Sequence, residues 1–292
     1  TYLKKNYQGY LLMLPFLLVF FTFTVWPVVM SMGLSFTTYN VFEAPRFLGF
    51  ENYVKLFFND SVFLTAMQNT FLLSIIVGPL SYLLSLFLAW MVNEFRNPWR
   101  TILTVVFYAP TLSGNLYFVW TYIFSGDQNG LVNGLLRSWG IINSPIQWLT
   151  DPAYNMSVVV VVIIWLSLGS GFLAFVAGLQ NVNKDYYEAA AIDGIRNRWQ
   201  ELRHVTLPQM VPQLLFGAVM SITSAFGASS IMETLCGFPS TDYAAHTIVT
   251  HLTDYGTIRF DMGYACAIST ILFITMILLN KLIQRLLRGV GR

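Results

Sequence analysis

Asp151 and Lys184 bracket the stretch Pro152–Asn183, PAYNMSVVVVVIIWLSLGSGFLAFVAGLQNVN, which contains no Asp, Glu, Lys or Arg. A helix needs about 20 mostly apolar residues to cross the hydrocarbon core of a bilayer. This stretch is long enough, and its run of Val and Ile offers no polar face to water, so it reads as a membrane span. Five further charge-free intervals flank it: Asn6–Phe42, Ser61–Asn93, Thr101–Gly126, Val205–Met232 and Met262–Asn280. The expected helices lie near residues 10–35, 62–92, 102–124, 156–179, 209–232 and 262–282. The first apolar stretch is too long for a cleavable signal and reads as a permanent anchor.

Composition agrees. Of 292 residues, 55% are hydrophobic and 10% charged, against roughly 25% charged in soluble domains. So few charges cannot cover a water-facing surface, so the bilayer takes that place. The expected fold is all-α, a polytopic membrane protein of six transmembrane helices in one domain over residues 1–292. A net charge of +2 indicates no nucleic-acid partner. The two cysteines, Cys236 and Cys266, make neither a disulfide framework nor a zinc pattern and read as small packing residues.

Basic residues orient the spans. With the N-terminus in the cytoplasm, 12 of the 16 Lys and Arg fall inside and four fall outside: Arg46, Lys55, Arg137 and Arg259. Six crossings return the C-terminus to the cytoplasm. The loops read as outside, near 125–155 and 233–261, are long. The first carries Leu131, Leu135, Leu136 and Trp139 at helical spacing, the pattern of a short helix lying on a membrane.

No Asp, Glu, Lys or Arg lies in the interior of an expected span; Lys281 stands at the cytoplasmic end of the sixth. Ionisable residues in span interiors carry proton coupling and voltage sensing, so their absence argues against both. No Gly is followed by Lys, so there is no phosphate-binding loop of the Walker A type. No catalytic or metal-binding spacing of the three histidines occurs, and His246 and His251 read as solvated loop residues.

The most informative cytoplasmic segment is Tyr186–Pro212, YYEAAAIDGIRNRWQELRHVTLPQMVP. Glu188 to Ala191 favour helix, with Asp185 placed to cap it and Glu188 three residues on. Gly194 permits a reversal. A second helix over about 197–204 is expected to end at Leu207-Pro208. Small residues on one face admit a close neighbour, and Glu188, Arg198 and Arg203 supply charge.

This segment resembles the EAA loop of binding-protein-dependent ABC importer permeases. Glu188-Ala189-Ala190 and Gly194 match in register; Val205 and Leu207-Pro208 match the distal half, with one residue more than the family pattern between Gly194 and Val205. NRWQELRHVTLP and Phe47-Leu48-Gly49-Phe50-Glu51-Asn52-Tyr53, with Asn69-Thr70 opening the second span, are similar to the carbohydrate branch. The resemblance implies a type I permease fold in a bacterial cytoplasmic membrane. It also implies a second, different permease subunit, two ATPase subunits that hold ATP and magnesium, an extracellular solute-binding protein and an oligosaccharide or polysaccharide fragment as cargo. No cofactor is expected in this chain. The 184–208 loop would be the coupling helix. Glu188 would pair with a basic ATPase residue, with Arg198 among the loop's charges. Ala189 and Ala190 would permit a close fit, Gly194 the turn, and Leu207 and Pro208 the link to span five.

For the substrate path, Ser221, Ser224, Ala228 and Ser229 lie roughly on one helical face. Close helix packing and a polar lining remain equally open readings. Asn115, Tyr117, Ser224 and Ser229 are the candidate lining. Nine acidic residues in the outer loops suit a dock for the binding protein, with Gly237–Thr257 as the expected contact. Two rival functions stay open on the residues alone: a secondary transporter of small polar solutes and a membrane scaffold.

Overall fold

The computed structural model describes residues 7–112, 114 and 116–288. The described residues are mainly helical and include a two-stranded antiparallel ribbon, β1 (Thr37–Thr38) and β2 (Arg46–Phe47). Ahead of the ribbon lie α1 (Tyr7–Phe20) and α2 (Trp26–Leu34). They are joined by a wider π-helical turn over Phe21–Val25. After the ribbon come α3 (Glu51–Val54), a π turn over Lys55–Asn59, and the long α4 (Ser61–Asn93).

Among the described residues five helical stretches are long and apolar enough to cross a membrane: Leu11–Leu34, Ser61–Asn93, Asn155–Asn181, Val211–Cys236 and Met262–Arg285. They correspond to the first, second, fourth, fifth and sixth expected spans. The third differs. Instead of one helix over 102–124 there are two, α5 (Trp99–Leu112) and α6 (Phe118–Ile123). Pro110 lies inside the last turns of α5, and Gly114, at φ +59°, takes the left-handed conformation that ends a helix. Other spans are also jointed: α8 (Asn155–Leu166) gives way to α9 (Ser170–Asn181) across Gly169, and α13 (Val211–Phe226) to α14 (Ser229–Cys236) across Gly227-Ala228. Broken helices are tolerated at membrane depth where neighbours enclose the break, and Ala228 is buried.

The chain divides into two compact units, one running to Phe63 together with His251–Ile274, the other comprising Leu64–Thr250 and the residues from Thr275 onward. In the first, the Asn52 amide donates to Ser35 O (2.8 Å) and Thr37 O (3.0 Å), and the Tyr53 hydroxyl meets Ser35 Oγ at 2.7 Å. Gly263, in the first turn of α15 (Met262–Arg288), bonds its N–H to Tyr39 O at 2.8 Å. A Cβ at Gly263 would collide with Thr37 O. The Phe47–Tyr53 motif therefore stitches together the end of the first span and the ribbon.

The second unit holds two apolar cores. Leu73 and Val77 of α4, Val158, Val159, Val162 and Ile163 of α8, and Ala225, Ala228 and Met232 of α13–α14 build one. Ala89 and Val92 of α4, Phe172, Phe175, Val176 and Leu179 of α9, and Met210 and Leu214 build the other. The α9 and α13 backbones approach closely because Gly217 has no side chain; a Cβ there would run into the Phe175 ring. Small residues at crossings are the usual solution in lipid, where packing rather than hydrophobicity joins helices.

Candidate functional site

The loop after the fourth span opens with α10 (Lys184–Ile192). Its cap is Asn183 rather than Asp185: Asn183 is extended and its Oδ1 accepts the Asp185 N–H at 3.1 Å. Asp185 sits within the first turn, at the positive end of the helix dipole. The helix closes with paired reversed bonds, from Ile195 N to Ala190 O (3.0 Å) and from Gly194 N to Ala191 O (3.3 Å), around Gly194 at φ +92°. That is the Schellman closure, in which glycine takes the left-handed position at no steric cost.

Asn197 caps the next piece, accepting Gln200 N–H at 2.8 Å. Here the structure departs from the sequence reading. α11 (Arg198–Glu201) runs into a π turn over Leu202–Thr206, and this runs on into α12 (Leu207–Gln209). Leu207-Pro208 starts a helical turn instead of ending one, and the break falls at Met210 (φ −95°, ψ 10°). The Leu207 N–H reaches back to Leu202 O. This widens the turn just ahead of Pro208, whose ring would crowd the carbonyl four residues before it in an α-helix.

The two helical pieces are tied by Tyr187 OH to Thr206 Oγ1 at 2.9 Å. Val205 and Thr206 are buried, and Leu207 packs on the core of Phe172, Phe175 and Met210. Glu188, Ala189 and Gly194 are exposed, and Ile192 beside them is 87% exposed. Ala190 is turned inward and is only 7% exposed, so its methyl packs within this chain and does not face an outside surface. Arg198 is engaged internally as well. Its guanidinium contacts Glu201 at 2.7 Å and Glu94 at 3.3 Å. The hydrogen bond to Glu201, with the nearby Glu94 charge, holds it above the ordinary arginine range. Glu94 and Trp90, which meets Trp199, lie at the end of the second span, so the sequence of the loop does not point to them as its partners.

The candidate path residues separate. Asn115 lies outside the described residues. Tyr117 is half-buried, stacks on Phe118 and packs on the core that contains Ala225 and Ala228. Ser224 is exposed and Ser229 half-buried, whereas Ser221 and Ala228 face inward. The joint at Gly227-Ala228 breaks the helical phase, so the four small residues do not share one continuous face.

Outer-loop expectations also change. Within Gly237–Thr257, Ala245 to Ile248, Thr250 and His251 are buried, which leaves Thr241 to Tyr243 as its longest exposed stretch. Asn69 Nδ2 donates to Tyr243 O and His246 O at 3.1 and 2.9 Å, and Ile248 N–H donates to Thr70 Oγ1 at 2.9 Å. His246 and His251 are each 2% exposed rather than solvated. His251 Nε2 lies 3.0 Å from Asp60 Oδ2, which also accepts the Tyr264 hydroxyl at 2.7 Å. Long-range partners place these histidines, and no local spacing signals them. The expected helix on the first outer loop is present as α7 (Leu131–Ser138), with Leu131, Leu135 and Trp139 exposed along it.

The capped, reversed helical pair thus presents Glu188, Ala189 and Ile192 outward. Residues 81–292 match the family model described as binding-protein-dependent transport system inner membrane component. This chain belongs to that family. It is a multi-pass inner-membrane permease of an ABC importer. Its 184–208 loop lies within the matched region. It is 31% identical over 286 residues to the probable ABC transporter permease protein YesP of Bacillus subtilis (strain 168), covering 96% of this chain and 90% of that one. The lactose transport system permease protein LacF of Rhizobium radiobacter is 29% identical over 287 residues, covering 96% of this chain and 94% of LacF. The permease fold is also seen in the crystal structure of a bacterial ABC transporter involved in the import of the acidic polysaccharide alginate. One chain of that structure superposes with a TM-score of 0.79 at 24% identity, over 99% of this chain and 98% of that one.

Proposed function

We propose that this permease forms, with a second and different permease subunit, the path for an oligosaccharide delivered by an extracellular solute-binding protein, and that two ATPase subunits drive it from the cytoplasm. Both termini are cytoplasmic in this reading, as the distribution of basic residues favours. ATP and magnesium reside on the ATPase subunits. The sugar class is supported by the relatives: LacF is named for lactose, and a Bacillus subtilis relative 31% identical over 287 residues is named for arabinooligosaccharides. Tyr117, Ser224 and Ser229, with Asn115, are the proposed lining; hydroxyl, amide and aromatic groups suit an uncharged glycan.

The observation that carries the coupling role is the outward face of α10. Glu188 and Ala189 are exposed there, on a helix held by its Asn183 cap, its Gly194 closure and the Tyr187–Thr206 bond. A rigid element transmits displacement, and an exposed carboxylate beside small side chains suits a basic residue of a close partner. Ala189 provides the close approach, while Leu207-Pro208 carries the movement into the fifth span.

The test is Glu188→Lys in the reconstituted transporter. Membrane insertion should be unchanged, and hydrolysis stimulated by the loaded binding protein should be lost. Wild-type stimulation would overturn the coupling role.

A further inference from the structure

We infer that the coupling loop drives the second span as well as the fourth and fifth, which it joins covalently, and that Trp90 and Glu94, at the cytoplasmic end of the second span, are positioning residues for the transport cycle. The inference rests on the proposed role of the 184–208 loop as the contact for an ATPase subunit.

Beyond its junction with the fourth span just before Lys184, the loop meets the spans at two further places. One is covalent: Leu207 leads through α12 into α13. The other is through side chains. The rings of Trp199 and Trp90 are 5.0 Å apart at 43°, and Arg198 reaches Glu94 at 3.3 Å. Trp90 belongs to the last turns of α4 and packs on the same core as Leu207. A displacement of the loop therefore reaches this core from two sides, through the fifth span and through the second.

The receiving end is firm. Arg100 donates to Asn93 O and Phe95 O, each at 3.0 Å. It closes the carbonyl end of α4, where a cation is favoured, and fixes the backbone on either side of Glu94. Between these anchors the loop does not lie flush on the spans. A polar cavity of about 510 Å³ separates them, lined by Glu94, Arg100, Gln180, Lys184, Arg198 and Glu201. The loop thus has room to rock while its edge contacts stay engaged. The Arg198–Glu94 pair is exposed on both sides and is worth little by itself. Trp199 is 64% exposed, so its ring gains little by burial. What these contacts supply is a defined direction of push.

The experiment uses the complete transporter in proteoliposomes, with its ATPase subunits and binding protein. Solute taken up per ATP hydrolysed is measured for Trp90→Ala, Trp199→Ala, the double variant and Glu94→Gln. Trp90→Phe, which keeps an aromatic ring, serves as the conservative variant. Each tryptophan loss should lower the ratio by about tenfold, the scale of a typical coupling energy between sites. The double variant should lose no more than either single one, because both remove one contact. Trp90→Phe should recover most of the ratio, and Glu94→Gln should cost only a few-fold. ATPase subunits should co-purify with the Trp90 and Glu94 variants as with wild type. A wild-type ratio in Trp90→Ala, or additive losses in the double variant, would overturn the inference. Glu188→Lys in the same preparation separates the two ideas. If Glu188→Lys leaves stimulation intact, the coupling role itself fails. If it uncouples while the Trp90 variants transport normally, only the second route fails.

Discussion

Asp60 accepts from three donors at once: the Phe63 N–H at 2.9 Å, His251 Nε2 at 3.0 Å and the Tyr264 hydroxyl at 2.7 Å. Burial alone would raise its pKa, but the hydrogen bonds from His251, Phe63 and Tyr264 outweigh that and hold it well below the usual carboxylate range. A depressed carboxylate adds stability that is complete above its unfolded pKa of about 3.9 and disappears as pH falls toward the folded value. Thermal unfolding in detergent should therefore show no Asp60-dependent change between pH 7 and about 5, and a loss below about 4. Asp60→Ala should remove that acid limb and cost about 1–3 kcal/mol at neutral pH, because the buried histidine and tyrosine lose their acceptor. A melting temperature equal to wild type at pH 7 would refute this assignment. Nothing in the local sequence marks the cluster, since its members stand 191 and 204 residues from Asp60. Glu188 is the opposite case. Its helix and its matching motif are contiguous, so the residue could be singled out from the chain alone.

Helices α9 and α13 depend on one missing side chain. Gly217→Leu should force them apart and destabilise the protein by about 1–3 kcal/mol, as overpacking generally does. Gly78→Ala in α4 is the matched control: a Cβ there meets nothing within 4 Å, and the melting temperature should barely move. The short helix α10 depends on its cap. Asn183→Ala should cost about 0.5–2 kcal/mol of local stability, seen as faster hydrogen exchange over Asp185 to Glu188, whereas Asp185→Ala should cost less. Periodicity and composition reveal that helices exist, and charge-free length reveals which ones cross the bilayer. They do not reveal joints. Cap choice between Asn183 and Asp185, the π turn before Pro208 and the division of the third span at Gly114 turn on backbone dihedrals, which a run of residue types only loosely constrains.

For the molecule as a whole, the bias of Lys and Arg implies a direction. Single cysteines introduced at Lys184 and at Asn129 into a variant without Cys236 and Cys266 should label from opposite sides in intact cells, Asn129 from outside only. Labelling of both from one side would contradict the orientation. Membrane residence, the span positions and the family motif follow from the chain itself, because they rest on local quantities: hydrophobic length, net charge per loop, and contiguous residue types. Pairings distant in sequence belong to the tertiary structure. It alone buried His246, His251 and their neighbours Ala245, Thr247 and Ile248 within the outer segment expected as the binding-protein contact, turned Ala190 inward, and split the small-residue stripe of the fifth span. It also set Trp199 against Trp90 and Arg198 beside Glu94. The reason is physical. Burial and side-chain partnership are properties of what folds against a residue, and a membrane protein chooses those neighbours by close packing, for which its nearly uniform apolar spans carry little sequence signal.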